Sequence, residues 1–287
     1  MTSRTKYNNP VAAGALGLPY HYEMVSDSNR VDPFKAAIER VCPGARVLES
    51  GTGSGILSLL AARAGAERVY TVDLDPQVGA LATENIRRSG FDNVVFLQRS
   101  ILDVSLADLD GRRPDVIIAE NLSTWQVTEP QILVLNHVNQ NLAHPDTIRL
   151  PARMANELEL TEAQFWFEEL VEVRTHYFQF SGIRAPRVLS APALFTALDL
   201  GQVNPTRFSG TVEVSAHTAG TLNSLRLTSP FTIHEEITCA GTDSVMPPVV
   251  VPLREDLKVT AGDRIRVTIS YDTATSWEAF ACSAELL

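Results

Sequence analysis

Residues 46–58, which read RVLESGTGSGILS, constrain the fold more than any other stretch. Arg46, Val47 and Leu48 read as the end of a buried strand, and Ile56, Leu57, Leu59, Leu60 and Ala62 begin a helical pattern. Between them glycine alternates at Gly51, Gly53 and Gly55. A strand that passes at once into a helix over three glycines can bring its backbone against a ligand, because no side chain intervenes. The dinucleotide fingerprint G-x-G-x-x-G would need glycine at position 56, where Ile56 stands. A second strand, 68–72, ends on Asp73. An acid roughly 20 positions after the glycines can take the two hydroxyls of a ribose. Together these features point to an adenosine-type cofactor that has no pyrophosphate.

From Arg46 onward the pattern alternates. Strands are expected at 46–50, 68–73, 93–98, 115–119 and about 146–150, and helices at 55–64, 76–89 and 130–142. This is the α/β, Rossmann-like doubly wound class, whose ligands bind outside the carboxyl ends of the strands. Gly51, Gly53, Gly55, Asp73, Ser100, Ile101 and Glu120 all fall at those ends. Upstream, residues 1–19 are small and polar, and are expected to be mobile until a ligand orders them. A helix follows over Pro33–Val41, with Asp32 as its cap and Pro33 in first position. After Pro151 the texture changes to short β-branched segments separated by turn residues, as expected of an antiparallel β-barrel or sandwich. Ala191–Leu198 reads as a short helix or a projecting arm. The expected division is an N-terminal segment and helix (1–45) covering the cofactor, a cofactor-binding domain (46–150) and a β-barrel domain (151–287).

A chain of 287 residues can bury a core large enough for two domains. Its net charge of −10 argues against a nucleic-acid surface or an anionic membrane as partner. The three cysteines, Cys42, Cys239 and Cys282, form no zinc spacing and no disulfide framework, so a reducing, cytoplasmic location is expected. The six histidines are scattered, and no metal site is expected.

The fourth strand runs directly into residues 120–129, ENLSTWQVTE. Glu120 at the strand tip and Glu129 at the next helix start can face each other across a hairpin-like loop. Two converging carboxylates repel and raise a pKa unless a cation sits between them. A planar guanidinium, with five donors and a fixed charge, suits that arrangement.

Four stretches, in order, carry a resemblance. Glu23, Met24, Asp27 and Arg30 resemble the N-terminal helix motif of the protein arginine methyltransferases, which are class I S-adenosylmethionine-dependent enzymes. Residues 47–58 resemble their glycine motif. Glu120 and Glu129 share the spacing of their double-glutamate loop, and Pro151 falls where the family passes into its β-barrel. The resemblance implies that Arg30 holds the carboxylate of the methionine moiety. It also implies that Gly51, Gly53 and Gly55 pack against the cofactor and that Asp73 takes the ribose. Glu49, Ser100, Ile101 and Glu120 fall among the cofactor-binding positions, with Glu49 organising the glycine turn. Glu120 and Glu129 would be the catalytic pair that holds the guanidinium, and Met24 would line its pocket. His21 either borders the cofactor or sits at a helix start. By resemblance, a segment near 182–198 is an arm for homodimers.

The departures shape the expected substrate. The family's threonine-histidine-tryptophan loop should fall near 242–246, where neither histidine nor tryptophan occurs, and Ser276-Trp277 reads as too close to the C-terminus to take its place. Asn121, Leu122, Ser123, Thr124 and Trp125 replace the family's usual residues inside the acidic loop, and no tyrosine-rich helix is evident in 1–19. Guanidine capture is retained while the parts shaping peptide access are altered. The expectation is an N-methyltransferase of a small guanidino compound such as free L-arginine. The alternatives are a protein arginine N-methyltransferase and a cofactor-binding, non-catalytic partner subunit.

Overall fold

The structure, a computed structural model, describes residues 17–287. The helices are α1 (Leu18–Ser26), α2 (Ser28–Val41), α3 (Ile56–Arg63), α4 (Pro76–Ser89) and α5 (Gln131–Asn141). Strands β1 (Arg46–Ser50), β2 (Arg68–Asp73), β3 (Val94–Gln98), β4 (Val116–Ala119) and β5 (Ile148–Leu150) pair in parallel in the order β3-β2-β1-β4-β5. The inner strands β1 and β4 are buried along their whole length, as a parallel sheet covered by helices on both faces requires. The order reverses between β1 and β4, and a crevice opens outside their carboxyl ends. The pairings Ser50–Val72 and Ser50–Ala119 bring the ends of β1, β2 and β4 level, so the residues just beyond them share that crevice.

The remaining chain is antiparallel. It comprises β6 (Arg153–Glu162), β7 (Trp166–Phe167), β8 (Val171–Glu172), β9 (Tyr177–Phe178), β10 (Arg187–Val188), β11 (Ala193–Asp199), β12 (Arg207–Ser215), β13 (Gly220–Thr228), β14 (Phe231–His234), β15 (Ile237–Cys239), β16 (Val249–Val259), β17 (Arg264–Asp272) and β18 (Ala281–Leu286). β6 is the spine, pairing with β10 and β11 on one side and with β13 and β14 on the other. A second sheet, β12-β17-β18, lies beside it, with β12 next to β11 and β18 next to β16, so the two sheets close as a barrel. One hydrophobic core runs through both halves of the chain. No helix among the described residues is long and apolar enough to cross a membrane.

Three expectations change. The helix expected over Pro33–Val41 starts five residues earlier, at Ser28, with Asp27 rather than Asp32 as its cap and Pro33 inside it. Pro33 has no N–H to give the carbonyl of Asn29. That carbonyl instead faces the Cys239 thiol at 4.0 Å, a long contact typical of sulfur. Ala191–Leu198 is neither helix nor arm, because residues 193–199 form β11 on β6. Its alanine and leucine content favours helix locally, but pairing along an otherwise open edge of β6 overrides it. β10 is likewise paired to β6, so residues 187–188 and 193–198 of the expected arm at 182–198 lie in the sheet. The element that stands out is instead the β7–β8 hairpin, where Trp166, Phe167, Leu170, Val171 and Val173 are all exposed. The expected mobility of 1–19 falls outside the described residues as far as Leu16, and Leu18 and Pro19 begin α1.

Candidate active site

The crevice holds a cavity of about 700 Å³. The glycine turn forms its floor. Gly51 and Gly53 have φ of 80° and 55°, a region that side-chain-bearing residues occupy at a cost of about 1–2 kcal/mol. A Cβ at Gly51 would stand 2.5 Å from Nδ2 of Asn121, and one at Gly53 would stand 3.2 Å from the His21 ring. A side chain at Gly51 would thus have to displace the Asn121 amide, and one at Gly53 would press on the His21 ring, each on top of the backbone cost. Gly55 does not line the cavity; it caps α3 and faces Ala82 of α4.

Asp73, at the tip of β2, ties the turn down. Its carboxylate accepts from the Gly53 N–H at 2.9 Å and the Asp75 N–H at 3.0 Å. Asp75 in turn caps α4 by accepting from Gln77 and Val78. Glu49 is fully buried beneath the turn and accepts from the hydroxyls of Ser58 and Thr71. Burial pushes its carboxyl up to about 7 against those hydrogen bonds, with nearby Asp73 and Glu120 adding to the rise. Ser100 and Ile101 also line the cavity, and the Ser100 hydroxyl accepts from the Leu102 N–H at 3.2 Å.

At the other end, the buried guanidinium of Arg30 is shared between two acceptors. It donates to the carbonyl of Met24 at 3.1 Å and to the Glu120 carboxylate. Burial pulls the guanidinium down, but the charge and hydrogen bond of Glu120 outweigh it and raise it overall. The buried Nε of Arg30 has no hydrogen-bond partner among the described residues. Glu129 faces the same cavity, and among the described residues it forms no ion pair. Burial, and then the charge of Glu120, push its carboxyl up to about 7. Met24, Glu120 and Glu129 are thus brought together with the glycine turn, Asp73 and His21.

Several contributors escape the sequence. Ser123 accepts the N–H groups of Thr128 and Glu129 at 3.2 and 3.0 Å, closing the loop between the two glutamates. Asn121 accepts from the Ser50 hydroxyl at 2.9 Å and packs on Gly51. Tyr20 lines the cavity and donates to the carbonyl of Ser244 at 2.8 Å, linking α1 to the loop after β15. In that loop, Thr242 and Ser244 donate to Asp27, between α1 and α2. The loop after β17 also arrives, against expectation. The N–H groups of Ala274 and Thr275 donate to the carbonyls of Gln126 and Val127, at 3.2 and 2.6 Å, although Trp277 lies near the end of the chain. Antiparallel pairing folds that end back against the acidic loop, so distance along the chain does not forbid the contact. Among the described residues, no group of three or more histidine, cysteine or acidic side chains could hold a metal ion.

The donor set fits an adenosylated amino acid. The glycine floor admits close approach, Asp73 offers a carboxylate, Ile101 and Leu102 offer apolar surface, and Arg30 keeps a buried, unused N–H.

Comparison with known proteins agrees. The family model for ribosomal protein L11 methyltransferase (PrmA) matches residues 35–132. The uncharacterized protein MJ1452 of Methanocaldococcus jannaschii is 31% identical over 255 residues, spanning 88% of this chain and 91% of that one. An arginine N(omega)-methyltransferase of Streptomyces achromogenes subsp. streptozoticus is 34% identical over 137 residues, 46% of this chain and 37% of that protein. The structure of a Trypanosoma brucei PRMT1 enzyme–prozyme heterotetrameric complex with AdoHcy superposes with a TM-score of 0.75 at 18% identity, covering 93% of this chain and 96% of that one. That likeness is one of fold: a Rossmann-like domain followed by a β-barrel. The chain therefore belongs to the same family as MJ1452 and is an arginine-methyltransferase-like class I methyltransferase.

Proposed function

We propose that the protein is an S-adenosylmethionine-dependent N-methyltransferase acting on the guanidino group of a small molecule such as free L-arginine. The observation that carries this reading is the pairing of Glu120 with Glu129 in one cavity with the glycine turn. One glutamate is already paired with Arg30, and the other is pushed towards neutrality by burial and by the charge of its neighbour Glu120. A guanidinium supplies that cation and the donors to span both carboxylates.

When bound, S-adenosylmethionine supplies a methyl group on a positively charged sulfur. Arg30, the glycine turn and Asp73 would hold it. Glu120 and Glu129 bind the guanidinium and turn one nitrogen toward the methyl carbon. The methyl would pass to that nitrogen with the C–S bonding pair left on sulfur, chemistry that the cofactor itself would supply. Positive charge thus moves onto the guanidino group beside two carboxylates already in place, so little reorganisation is needed. The guanidino nitrogen then loses a proton, and Glu129 is the group best suited to receive it. Positioning accounts for several kcal/mol of the barrier in reactions of this kind.

Mass spectrometry of the protein with S-adenosylmethionine and two acceptor pools tests the reading. One pool holds free guanidino metabolites and the other an arginine-rich peptide. A gain of one CH₂ per transfer, about 14 daltons on the acceptor alone, is the mark of direct transfer without an enzyme-bound intermediate. Gain on the small pool alone is the expected result. Gain on the peptide moves the assignment to a protein substrate. No gain in either, with the cofactor still bound, favours another acceptor or a non-catalytic partner role.

We also propose a homodimer, with the β7–β8 hairpin in place of the arm expected at 182–198. The support is its run of exposed apolar side chains, with Leu170 81% exposed at the tip.

A further inference from the structure

Trp125 and Gln126, midway between the two glutamates, both adopt left-handed backbone, with φ of 57° and 55°. Neither is glycine, and such a conformation persists only where its surroundings over-determine it. Here those surroundings come from the barrel. The Trp125 N–H donates to Ser229 Oγ at 2.8 Å, and its indole Nε1 donates to the carbonyls of Thr228 and Glu157 at 3.1 and 3.3 Å. Its ring stacks on Phe195 with centroids 5.1 Å apart. Gln126 exchanges hydrogen bonds with Asn156 of β6: Gln126 Nε2 to Asn156 Oδ1 at 3.1 Å, and Asn156 Nδ2 to Gln126 Oε1 at 2.9 Å. Asn156 also donates to the Tyr271 hydroxyl at 3.1 Å and accepts from Ser229 at 2.9 Å. Both amides are fully buried, and neither residue lines the cavity.

We propose that the Gln126–Asn156 pair is a positioning device through which the barrel sets the placement of Glu129 relative to Glu120, and so the capture of the guanidino group. The inference rests on the guanidine reading above. Glu120 is anchored separately by Arg30, at the end of β4. Glu129 hangs from the far side of the left-handed turn, three residues beyond Gln126, and among the described residues its own N–H is held by Ser123 alone. Two amides facing each other satisfy a donor and an acceptor on each side: cutting back Asn156 leaves the buried Gln126 Oε1 without its donor, and cutting back Gln126 leaves Asn156 tied to Ser229 and Tyr271 but no longer to the acidic loop. Loosening the pair therefore releases Glu129 while leaving Glu120, Arg30 and the glycine turn where they are.

The test uses Gln126→Ala, Asn156→Ala and the exchanged pair Gln126→Asn with Asn156→Gln, which keeps the summed length of the two side chains. With free arginine or agmatine as acceptor, each single variant should lose kcat on the order of a hundredfold, the penalty of misplacing a catalytic group by about 1 Å. Affinity for S-adenosylhomocysteine should stay at the wild-type level, and the exchanged pair should recover most of the loss. In Gln126→Ala the acid limb of kcat/KM should also move to lower pH, since a freed Glu129 gains water. A merely structural role would not move that limb. Hydrogen exchange gives a readout independent of turnover. In Gln126→Ala the amides of 127–129 should exchange at least tenfold faster (about 1.4 kcal/mol), while β6 and β13 keep their protection. If the wild-type protein methylates no guanidine, the functional reading fails and the positioning role is judged on that exchange pattern alone. Unchanged exchange at 127–129 overturns the proposal. So does a uniform loss of protection through the barrel with no rescue by the exchanged pair.

Discussion

The guanidinium of Arg30 lies against the carboxylate of Glu120, ninety positions further along the chain. The contact joins α2, which covers the crevice, to the strand tip that begins the acidic loop. Removing either partner leaves the other's charge buried without its counter-ion, although Arg30 keeps the Met24 carbonyl, a loss of roughly 3–5 kcal/mol. Arg30→Ala should therefore lower the melting temperature markedly, and adding Glu120→Gln should restore a large part of it. Additive losses in the double variant, measured by calorimetry, would show that the two groups do not depend on each other.

Glu120→Gln and Glu129→Gln should each lower methyl transfer by about a hundredfold or more, because the isosteric amide keeps the shape and removes the charge that faces the guanidinium. Titration of S-adenosylhomocysteine should find its affinity largely intact in Glu129→Gln. Full turnover in both variants would remove the two glutamates from the mechanism.

Glu129 is held at about 7 in the ligand-free protein, mainly by burial, against an ordinary value of 4.5. A cationic acceptor needs it ionised, so KM for the guanidino substrate should rise as pH falls below about 7, by up to tenfold per unit. Stability runs the other way. Between about 4.5 and 7 the folded state binds more protons at this site than the unfolded chain does. The contribution of this one carboxyl to stability without ligand is therefore greatest below that window, declines as pH rises through it, and levels off above. Glu129→Gln should flatten part of that decline and stabilise the protein at pH 8, by up to about 3 kcal/mol. A melting temperature at pH 8 equal to or below that of the wild type would contradict the burial argument.

Gly51→Ala should weaken cofactor binding more than it destabilises the fold. Its φ of 80° costs about 1–2 kcal/mol for alanine. The added methyl also displaces Asn121, which borders the cavity. Isothermal titration with S-adenosylhomocysteine should show a loss of at least about tenfold. Unchanged affinity would mean that the turn has room the structure does not give it.

Leu170→Asp combined with Val171→Asp places two charges on the exposed hairpin. Neither side chain is buried, so folding stability should change by less than about 0.5 kcal/mol. On the homodimer proposed above, sedimentation equilibrium should show a dimer for the wild type and a monomer for the variant. A variant that sediments as the wild type does would clear the hairpin of any role in assembly.

The parallel sheet was legible because its signals are local. Alternating apolar runs and helical periods placed all five strands and the helices between them to within about two residues, the usual uncertainty of element ends. Legibility failed where long-range pairing decided. The run around 191–198 carries a helical composition and becomes a strand because β6 offers it an edge. Pro33 reads as a helix start, yet the helix begins before it, since the packing of α1 and α2 over the crevice outweighs one lost hydrogen bond.

The candidate site divides in the same way. Chain chemistry by itself fixed the glycine turn, the acid at the tip of β2 and the spacing of Glu120 and Glu129, because each is a short-range pattern whose geometry the backbone enforces. Only the tertiary structure decided that Arg30 would meet Glu120, that Gly55 would serve a helix cap, and that Trp125 and Gln126 would be held left-handed by Ser229 and Asn156. Those outcomes depend on which buried polar groups find partners when distant strands close on one another. A requirement of that kind belongs to the assembled core, and no window of sequence contains it.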